Sequence, residues 1–338
     1  MGRTASGEYV EGEWTAPGFS VDGRGKIVGL VNDNVPNNWG RWGEDDQRGT
    51  ANFITPEMVA AAASLIRTGQ TISLAVPLDA TGPVHPTRPN VVHLFGYSGA
   101  DHSVGSDLGR VAPGFQGADD YLFMPLQGST QWDGLAHIFH RDAMYNGFWM
   151  GNVEGFAGAR KCSIQLLKAS LTSRGVLLDI ARHLGAERCE PRLPITADVL
   201  DACAEAQGVE IGTGDILLIR TGHVPWFYRL EDKQEFWSSG APGLALDTVE
   251  WIHRKEIAAL AVDNVAVEVE PSEDPERPFY PLHVRLIRDL GLTLGEVWWL
   301  EELAAECAEH GRYEFFLTAS PLNITGGAGS PVNPIAIL

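Results

Sequence analysis

The pattern of apolar and polar positions along the chain predicts short strands that alternate with helices. Continuous apolar runs, typical of strands buried on both faces, occupy residues 176–181, 215–221 and 257–263. Residues 71–76 alternate between apolar and polar side chains, which predicts a half-buried strand, and residues 313–319 are interpreted as a further strand. Together with the helix signals between them, these segments predict an α/β protein.

Helix signals separate the predicted strands. Thr55, Pro56 and Glu57 have the N-cap, first-position and first-turn chemistry of a helix start, and Gly69 is expected to end that helix. Further helices are predicted from capping residues or from apolar positions with a period of 3.6, over residues 197–207, 244–254, 282–290 and 301–310.

Residues 77–117 are dense in Pro, Gly, His and Asp, which predicts long loops over a surface. The 338 residues, with 44% hydrophobic content, are enough for a large core. No repeat or long linker divides them. We therefore expect a single domain over residues 38–338, preceded by an N-terminal extension of residues 1–37.

The formal net charge of −19 argues against nucleic acid and anionic membranes as partners, because both present phosphate that this surface would repel. No apolar run approaches the length of a membrane span, and the N-terminus lacks the apolar region of a secretory signal, so a cytoplasmic location is expected. The four cysteines lie far apart without a C-x-x-C pair, which predicts reduced, buried thiols. The expected partner is a small molecule.

Candidate chemistry concentrates in residues 127–145, QGSTQWDGLAHIFHRDAMY. Asp133 and His137 are four positions apart, so a helical turn that starts near Asp133 would place carboxylate and imidazole on one face. Gln127 and Gln131 bring neutral amide oxygens to the same neighbourhood. The stretch predicts a polar site, and the alternative for each of its residues is a capping or hydrogen-bonding role in the fold.

This stretch resembles the motif H-x-G-T-H-x-D-x-x-x-H of the kynurenine formamidase-like or cyclase superfamily, which includes isatin hydrolases and trans-dienelactone hydrolases. On that motif, Gln127 and Gln131 stand at the two leading histidines, Asp133 at the aspartate and His137 at the last histidine. Five further segments are similar to the longer branch of the superfamily, in the same order: GRWGEDDQRGTANFITPE, GDILLIRTG, AVDNVAVEVEP, PLHVRLIRDLGLTLGEVWWLEELA and SPLNITGGAGSPVNP. The resemblance implies a swivelling β/β/α fold with a mixed central sheet, assembled as a homodimer or homotetramer.

The resemblance also implies a divalent metal ion, for which the matching ligands are Asp133, His283 and Glu296, with help from Gln131 or Gln127. Glutamines in place of histidines exchange nitrogen donors for weak neutral oxygens, which disfavours zinc and favours a harder ion such as Mn²⁺. Two carboxylates balance the charge of one divalent ion and would leave two under-neutralised. We therefore expect one ion, manganese or zinc.

The activity implied by the resemblance is hydrolysis of a cyclic amide, a lactone or an arylformamide. His137 would move the proton, because an imidazole with a pKa of about 6.5 can take up and return a proton near neutral pH. Two alternatives stay open. A metal-free member would hydrolyse with His137 and Asp133 alone, while the two glutamines hydrogen-bond the substrate carbonyl. A binding protein would hold a small ligand without turnover.

Four more residues are candidates for substrate contacts. Trp132, Phe139 and Tyr145 belong to an aromatic run that would suit a cyclic or aromatic substrate, with a place in the core as the alternative. Glu268 follows an apolar strand, where α/β sheets tend to place ligands, and is a reserve acid or ligand. Its alternative role is capping at the surface.

Overall fold

The structure is a computed structural model that describes residues 2–3, 9–10, 18–105, 114–272 and 280–338. Its strands are β1 (Gly2–Arg3), β2 (Tyr9–Val10), β3 (Thr71–Ser73), β4 (Val92–Tyr97), β5 (Asp119–Phe123), β6 (Gln131–Asp133), β7 (Val153–Glu154), β8 (Gly158–Ala159), β9 (Thr172–Asp179), β10 (Pro194–Ile195), β11 (Ile216–Arg220), β12 (Gly243–Leu244), β13 (Ala259–Val262), β14 (Thr293–Glu296), β15 (Glu314–Thr318), β16 (Gly329–Pro331) and β17 (Ile335–Ile337).

The α-helices are α1 (Pro56–Ala63), α2 (Gly99–Ser103), α3 (Ile180–His183), α4 (Ala197–Gln207), α5 (His223–Arg229), α6 (Lys233–Ser238), α7 (Thr248–Lys255), α8 (Pro281–His283) and α9 (Glu301–His310). A π-helix, Val284–Leu290, continues α8. Short 3₁₀ helices cover Gly49–Phe53, Tyr145–Gly147, Met150–Asn152 and Ile164–Leu167. The described helices include none with the length and apolar character needed to cross a lipid bilayer.

Nine strands form one mixed sheet in the order β16-β6-β14-β13-β11-β9-β15-β17-β3. The four central strands, β14, β13, β11 and β9, run parallel to one another, and the outer strands pair antiparallel. The predicted α/β class with a mixed central sheet is confirmed. The three apolar runs of the sequence correspond to β9, β11 and β13, which are covered on both faces, whereas β14 is not predicted.

Each face of the sheet packs against its own hydrophobic core. In β9, Val176 and Leu178 belong to one core, while Leu177, between them, belongs to the other. The core with Val176 also contains buried side chains of α4, α7 and the π-helix, and the opposite core contains those of α9. The four cysteines are buried and free, as their spacing predicts.

Several local predictions differ from the structure. The segment 77–117, predicted as loops, contains β4 and α2. Strand β4 pairs with β5 in a hairpin, and because its side chains are exposed it lacks the apolar pattern of a buried strand. Helices α5 and α6 are not predicted at all, since the aromatic-rich sequence around Trp226 lacks a clear polar face. Helix α7 begins at Thr248 rather than at Leu244, which pairs as a strand in β12.

The segment before α1 is tied to the end of the π-helix through two glycines. Gly49 has a φ of +58°, and a Cβ at this position would lie 2.0 Å from the carbonyl oxygen of Gly291. That oxygen accepts the backbone N–H of Thr50 at 2.9 Å. The close approach of the two backbones therefore requires glycine at position 49.

We predict that Gly49→Ala destabilises the protein more than Gly69→Ala. Both glycines have a positive φ, but a Cβ at Gly69 would meet no atom within 4 Å. The Gly69 variant should lose about 1 kcal/mol from the left-handed conformation alone. The Gly49 variant should lose about 1–3 kcal/mol more from overpacking. Urea denaturation measures both, and equal losses would contradict the predicted backbone clash.

Candidate active site

The antiparallel pairing of β6 with β14 builds the centre of the site. Gln131 lies opposite Glu296 and Asp133 lies opposite Leu294. Side chains directly opposite one another in a sheet share a face, and side chains two positions apart along a strand do so as well. Gln131, Asp133 and Glu296 therefore point to the same side of the sheet, and all three are buried.

His283 approaches these side chains from α8, and Glu268 fixes its position. The carboxylate of Glu268 accepts the backbone N–H groups of Leu282 and His283, each at 3.1 Å. One of its oxygens also lies 2.7 Å from Nδ1 of His283. The other ring nitrogen, Nε2, lies 3.2 Å from Oε1 of Glu296. Glu268 thus turns the imidazole so that Nε2 faces the carboxylates of the sheet.

The side chains of Asp133, His283 and Glu296 converge, since one potential ligand atom from each lies within 4.8 Å of the other two. The amide of Gln131 joins them. Its Nε2 donates to Glu296 Oε2 at 3.0 Å and to Asp133 Oδ1 at 3.3 Å. Its Oε1 is buried and accepts no hydrogen bond from the described residues.

The electrostatics of this group reflect its burial. Burial would lower the pKa of His283, but hydrogen bonds and charge attraction from Glu268 and Glu296 outweigh that effect and raise it to about 10. Burial also raises the pKa of Glu296, and the nearby charge of Asp133 raises it further. The two carboxylates that face each other therefore favour a proton, a cation or hydrogen-bond donors between them.

His137 lies beside this group, at the end of a turn that follows β6. Its backbone N–H donates to the carbonyl of Gly134 at 3.0 Å, and its Nε2 lies 3.8 Å from Oδ2 of Asp133. Burial lowers the pKa of His137, the Asp133 carboxylate opposes this shift, and the charges of His283 and Arg88 add to it. The imidazole is thus held in its neutral form near neutral pH.

A cavity of about 220 Å³ opens onto the site. It is lined by His85, Thr87, Arg88, His137, Ile138, Val265, Tyr280, His283 and Glu296. His137 and His283 therefore border a space that a small molecule can enter. The lining combines three imidazoles, a carboxylate and one guanidinium with the apolar side chains of Ile138 and Val265, so a few polar groups converge on a partly apolar space.

The residues at this centre fit a divalent cation. Asp133 and Glu296 supply carboxylate oxygens and His283 supplies Nε2, a mixed oxygen and nitrogen donor set that suits such ions. Glu268 holds the remote ring nitrogen of His283, which is the usual arrangement behind a metal-binding histidine. The unpartnered Oε1 of Gln131 is a further oxygen beside them.

The structure corrects the predicted helical turn at Asp133. Asp133 is the last residue of β6, and residues 134–137 form a turn rather than a helix. The strand forms because residues 131–133 pair on both sides, with β14 and with β16. Asp133 and His137 are nevertheless close together, because the turn folds the chain back and brings Nε2 of His137 to 3.8 Å from Oδ2 of Asp133.

Two predicted substrate contacts, Trp132 and Tyr145, take the alternative place in the core, and the third, Phe139, stays a prediction. Trp132 is fully buried on the opposite face of the sheet, where its Nε1 donates to the carbonyl of Ala319, because neighbouring residues of a strand point to opposite sides. Tyr145 is also fully buried, and its hydroxyl lies 3.0 Å from Asp46. Phe139 is 39% exposed and lies outside the lining of the cavity.

Gln127 and Glu268 differ from their predicted roles as well. The side chain of Gln127 lies against Gly329 of β16, and the described structure shows no hydrogen bond from it to Asp133 or Glu296. Glu268, predicted as a reserve acid or ligand, is buried against His283 instead of being free to contact a substrate.

Sequence reasoning missed Arg88 and the hydrogen bonds that Glu268 makes to α8. Arg88 lies in the segment predicted as a long surface loop, and nothing in its spacing marks it. The high content of Pro and His in this segment is a sequence signal, but it does not single out residue 88.

Comparisons with known proteins identify the family of the chain. The model of the Cyclase family, described as "Putative cyclase", matches residues 72–269, more than half of the chain. An isatin hydrolase from Roseibium aggregatum is 30% identical over 167 residues, which cover 48% of this chain. The aligned part spans 58% of that relative's length.

Two solved structures extend the comparison. The crystal structure of a novel cyclase is 46% identical with a TM-score of 0.84, and the match covers 89% of this chain and 99% of that one. An isatin hydrolase bound to the product analogue thioisatinate shares the fold, with 20% identity, a TM-score of 0.57, and coverage of 84% and 99% of the two chains. These matches confirm the predicted resemblance and the predicted fold, and the chain belongs to the cyclase family.

Proposed function

We propose that this protein is a hydrolase that opens a cyclic amide, a lactone or an arylformamide by attack of water on the carbonyl carbon. The observation that carries the proposal is the convergence of Asp133, His283 and Glu296 at a cavity that His137 also lines. Membership of the cyclase family supports it, because a relative that matches about half of this chain is an isatin hydrolase.

Asp133, His283 and Glu296 would hold one divalent metal ion, manganese or zinc, with the amide oxygen of Gln131 as a fourth ligand. Such an ion supplies acidification of the attacking water and polarisation of the carbonyl. The protein positions these ligands in advance, since β6 and β14 fix the two carboxylates and Glu268 fixes the imidazole. A rotation of the Gln131 amide by 180° would turn Oε1 towards the two carboxylates in place of Nε2.

His137 would act as general base and then as general acid. Because burial lowers its pKa, its Nε2 is free at neutral pH to accept a proton from the attacking water. Asp133, 3.8 Å from that nitrogen, stabilises the imidazolium that results. When the carbon–nitrogen or carbon–oxygen bond breaks, the same proton passes to the departing nitrogen or oxygen.

A metal-free member of the family is the second candidate, and one observation favours it. The Nε2 of Gln131 donates to both Glu296 and Asp133, so a neutral amide already lies between the two carboxylates. In that case His137 and Asp133 would activate water alone, or the site would bind a small ligand without turnover.

We further propose that the chain assembles as a homodimer or homotetramer. The hairpin of β4 and β5 supports this assembly, because Val92, Leu94, Tyr121 and Phe123 lie on one of its faces and all are exposed. An isolated hairpin has marginal stability in water, and contiguous exposed apolar side chains are typical of interaction surfaces. A second copy of the chain is the expected cover.

The first test of the proposal is turnover. Cyclic amides, lactones and arylformamides should be screened for hydrolysis, and on any substrate found, His137→Gln should lower kcat by about 10²–10⁴-fold, the usual contribution of a general acid–base group. Metal content should stay unchanged in the variant. His310→Gln, which removes an exposed imidazole on α9, is the control. A His137 variant with the full rate would contradict the mechanism.

The proposed metal is tested by measuring its stoichiometry and by substituting Gln131. Elemental analysis should find about one equivalent of a divalent ion, and exhaustive chelation should abolish hydrolysis. Gln131→His should raise the affinity for Zn²⁺ by about tenfold or more in calorimetry, because an imidazole is the better zinc ligand. Gln234→His, which adds an imidazole at an exposed position, should not. Hydrolysis that survives chelation would support the metal-free candidate.

Assembly is tested by light scattering. The wild-type mass should be two or four times the 36.7 kDa of one chain. Leu94→Asp should reduce the assembly, since a buried carboxylate without a partner is costly. Val31→Asp is the matched control, because Val31 is 78% exposed and lies outside the hairpin. A monomeric wild type, or an unchanged mass for the Leu94 variant, would contradict the proposed interface.

A further inference from the structure

Arg88 supplies a permanent positive charge to the lining of the catalytic cavity. It shares that lining with His137, His283 and Glu296. The guanidinium is therefore close enough to the reacting groups to contact a molecule bound between them.

Within the part of the chain that the structure describes, one hydrogen bond holds this side chain, and it leaves most of the guanidinium available. A terminal nitrogen of Arg88 donates to the backbone carbonyl of Gln127 at 2.6 Å. Arginine has five N–H donors, so the others remain for a bound molecule. The anchor to Gln127 fixes the side chain next to β6 without neutralising its charge, because a backbone carbonyl carries no net charge.

No carboxylate among the described residues forms an ion pair with Arg88. The nearby acids are engaged elsewhere, since Glu296 contacts His283 and Gln131, and Glu268 contacts His283. The side chain therefore differs from a buried structural arginine such as Arg220, whose charge is balanced by Asp179 and Glu301.

We propose that Arg88 recognises a carboxylate carried by the substrate, so that the substrate class is a cyclic amide, lactone or arylformamide that bears an acidic group. The planar fork of an arginine matches the two oxygens of a carboxylate, which gives both affinity and orientation. This assignment rests on the proposed hydrolase function for the identity of the reacting group. The anion-binding role of Arg88 rests on the cavity alone.

The binding arm of the test needs no turnover. Calorimetry on the metal-loaded protein compares benzoate with benzamide, which has a similar shape and no charge. The wild type should bind benzoate about tenfold or more tightly than benzamide, a preference that falls with added salt. Arg88→Met should lose the preference and Arg88→Lys should keep part of it. Arg67→Met, which removes an exposed arginine, should keep all of it.

The activity arm uses a matched pair of arylformamides, N-formylanthranilate and formanilide, which differ by one carboxylate. Arg88→Met should lower kcat/KM for N-formylanthranilate by a factor about tenfold larger than for formanilide. Equal losses on both would overturn the proposal, because Arg88 would then serve the carbonyl under attack. An unchanged benzoate preference in Arg88→Met would overturn it as well.

The two arms also separate this inference from the proposed function. Benzoate binding that depends on Arg88, without hydrolysis of any tested amide or lactone, would support the anion site and contradict the hydrolase. Hydrolysis together with benzoate binding that is independent of Arg88 would support the hydrolase and contradict the anion site. If Arg88→Met fails to fold, Arg88→Lys and the salt dependence of the wild type decide the question.

Discussion

The antiparallel register between β6 and β14 is the constraint on which the site depends. Because Gln131 lies opposite Glu296, and Asp133 is two positions further along the strand, three polar side chains project from one face of an otherwise apolar sheet. A shift of the register by one residue would turn them into the opposite core and bring Trp132 to the cavity. Gly295 secures the register, since a Cβ there would lie 2.5 Å from Ala261 and 2.9 Å from Trp132. The packing on the face opposite the cavity thus determines which side chains of β6 and β14 point towards the cavity.

Burying several ionisable groups together requires that each has a partner, and the fold supplies these partners from different elements. Glu268 accepts two backbone N–H groups of α8 and the imidazole of His283, so its charge is spread over three donors. Glu296 contacts His283 on one oxygen and Gln131 on the other. Such a network is stable only when all members are present, because removal of one leaves a buried charge without compensation. The side chains of this network therefore hold one another in position.

The sequence predicted the class of fold and three of the four central strands, β9, β11 and β13, because their apolar runs depend only on burial. It also placed Asp133, His283 and Glu296 in one group, although the last two are thirteen residues apart, and that placement came from the family motif rather than from periodicity. Contacts between distant segments could not be predicted. The turn after Asp133, the hydrogen bonds of Glu268 and the position of Arg88 depend on which strands become neighbours. For a related reason the sequence could not show that Trp132 faces away from the cavity, since composition does not say which face of a strand a side chain takes.

The glutamine at position 131 shows how one fold accommodates a change of ligand chemistry. Two carboxylates on adjacent strands repel each other in a buried site, and the repulsion must be offset by a proton, a cation or hydrogen-bond donors. The amide of Gln131 has both a donor and an acceptor. Its Nε2 can donate to Asp133 and Glu296, and its Oε1 can bind a cation together with them. A histidine at this position has a lone pair to offer to a metal but only one N–H for two carboxylates. The substitution therefore stabilises the site in the absence of an ion, and it should make the fold of this chain less dependent on metal than that of a relative with histidine.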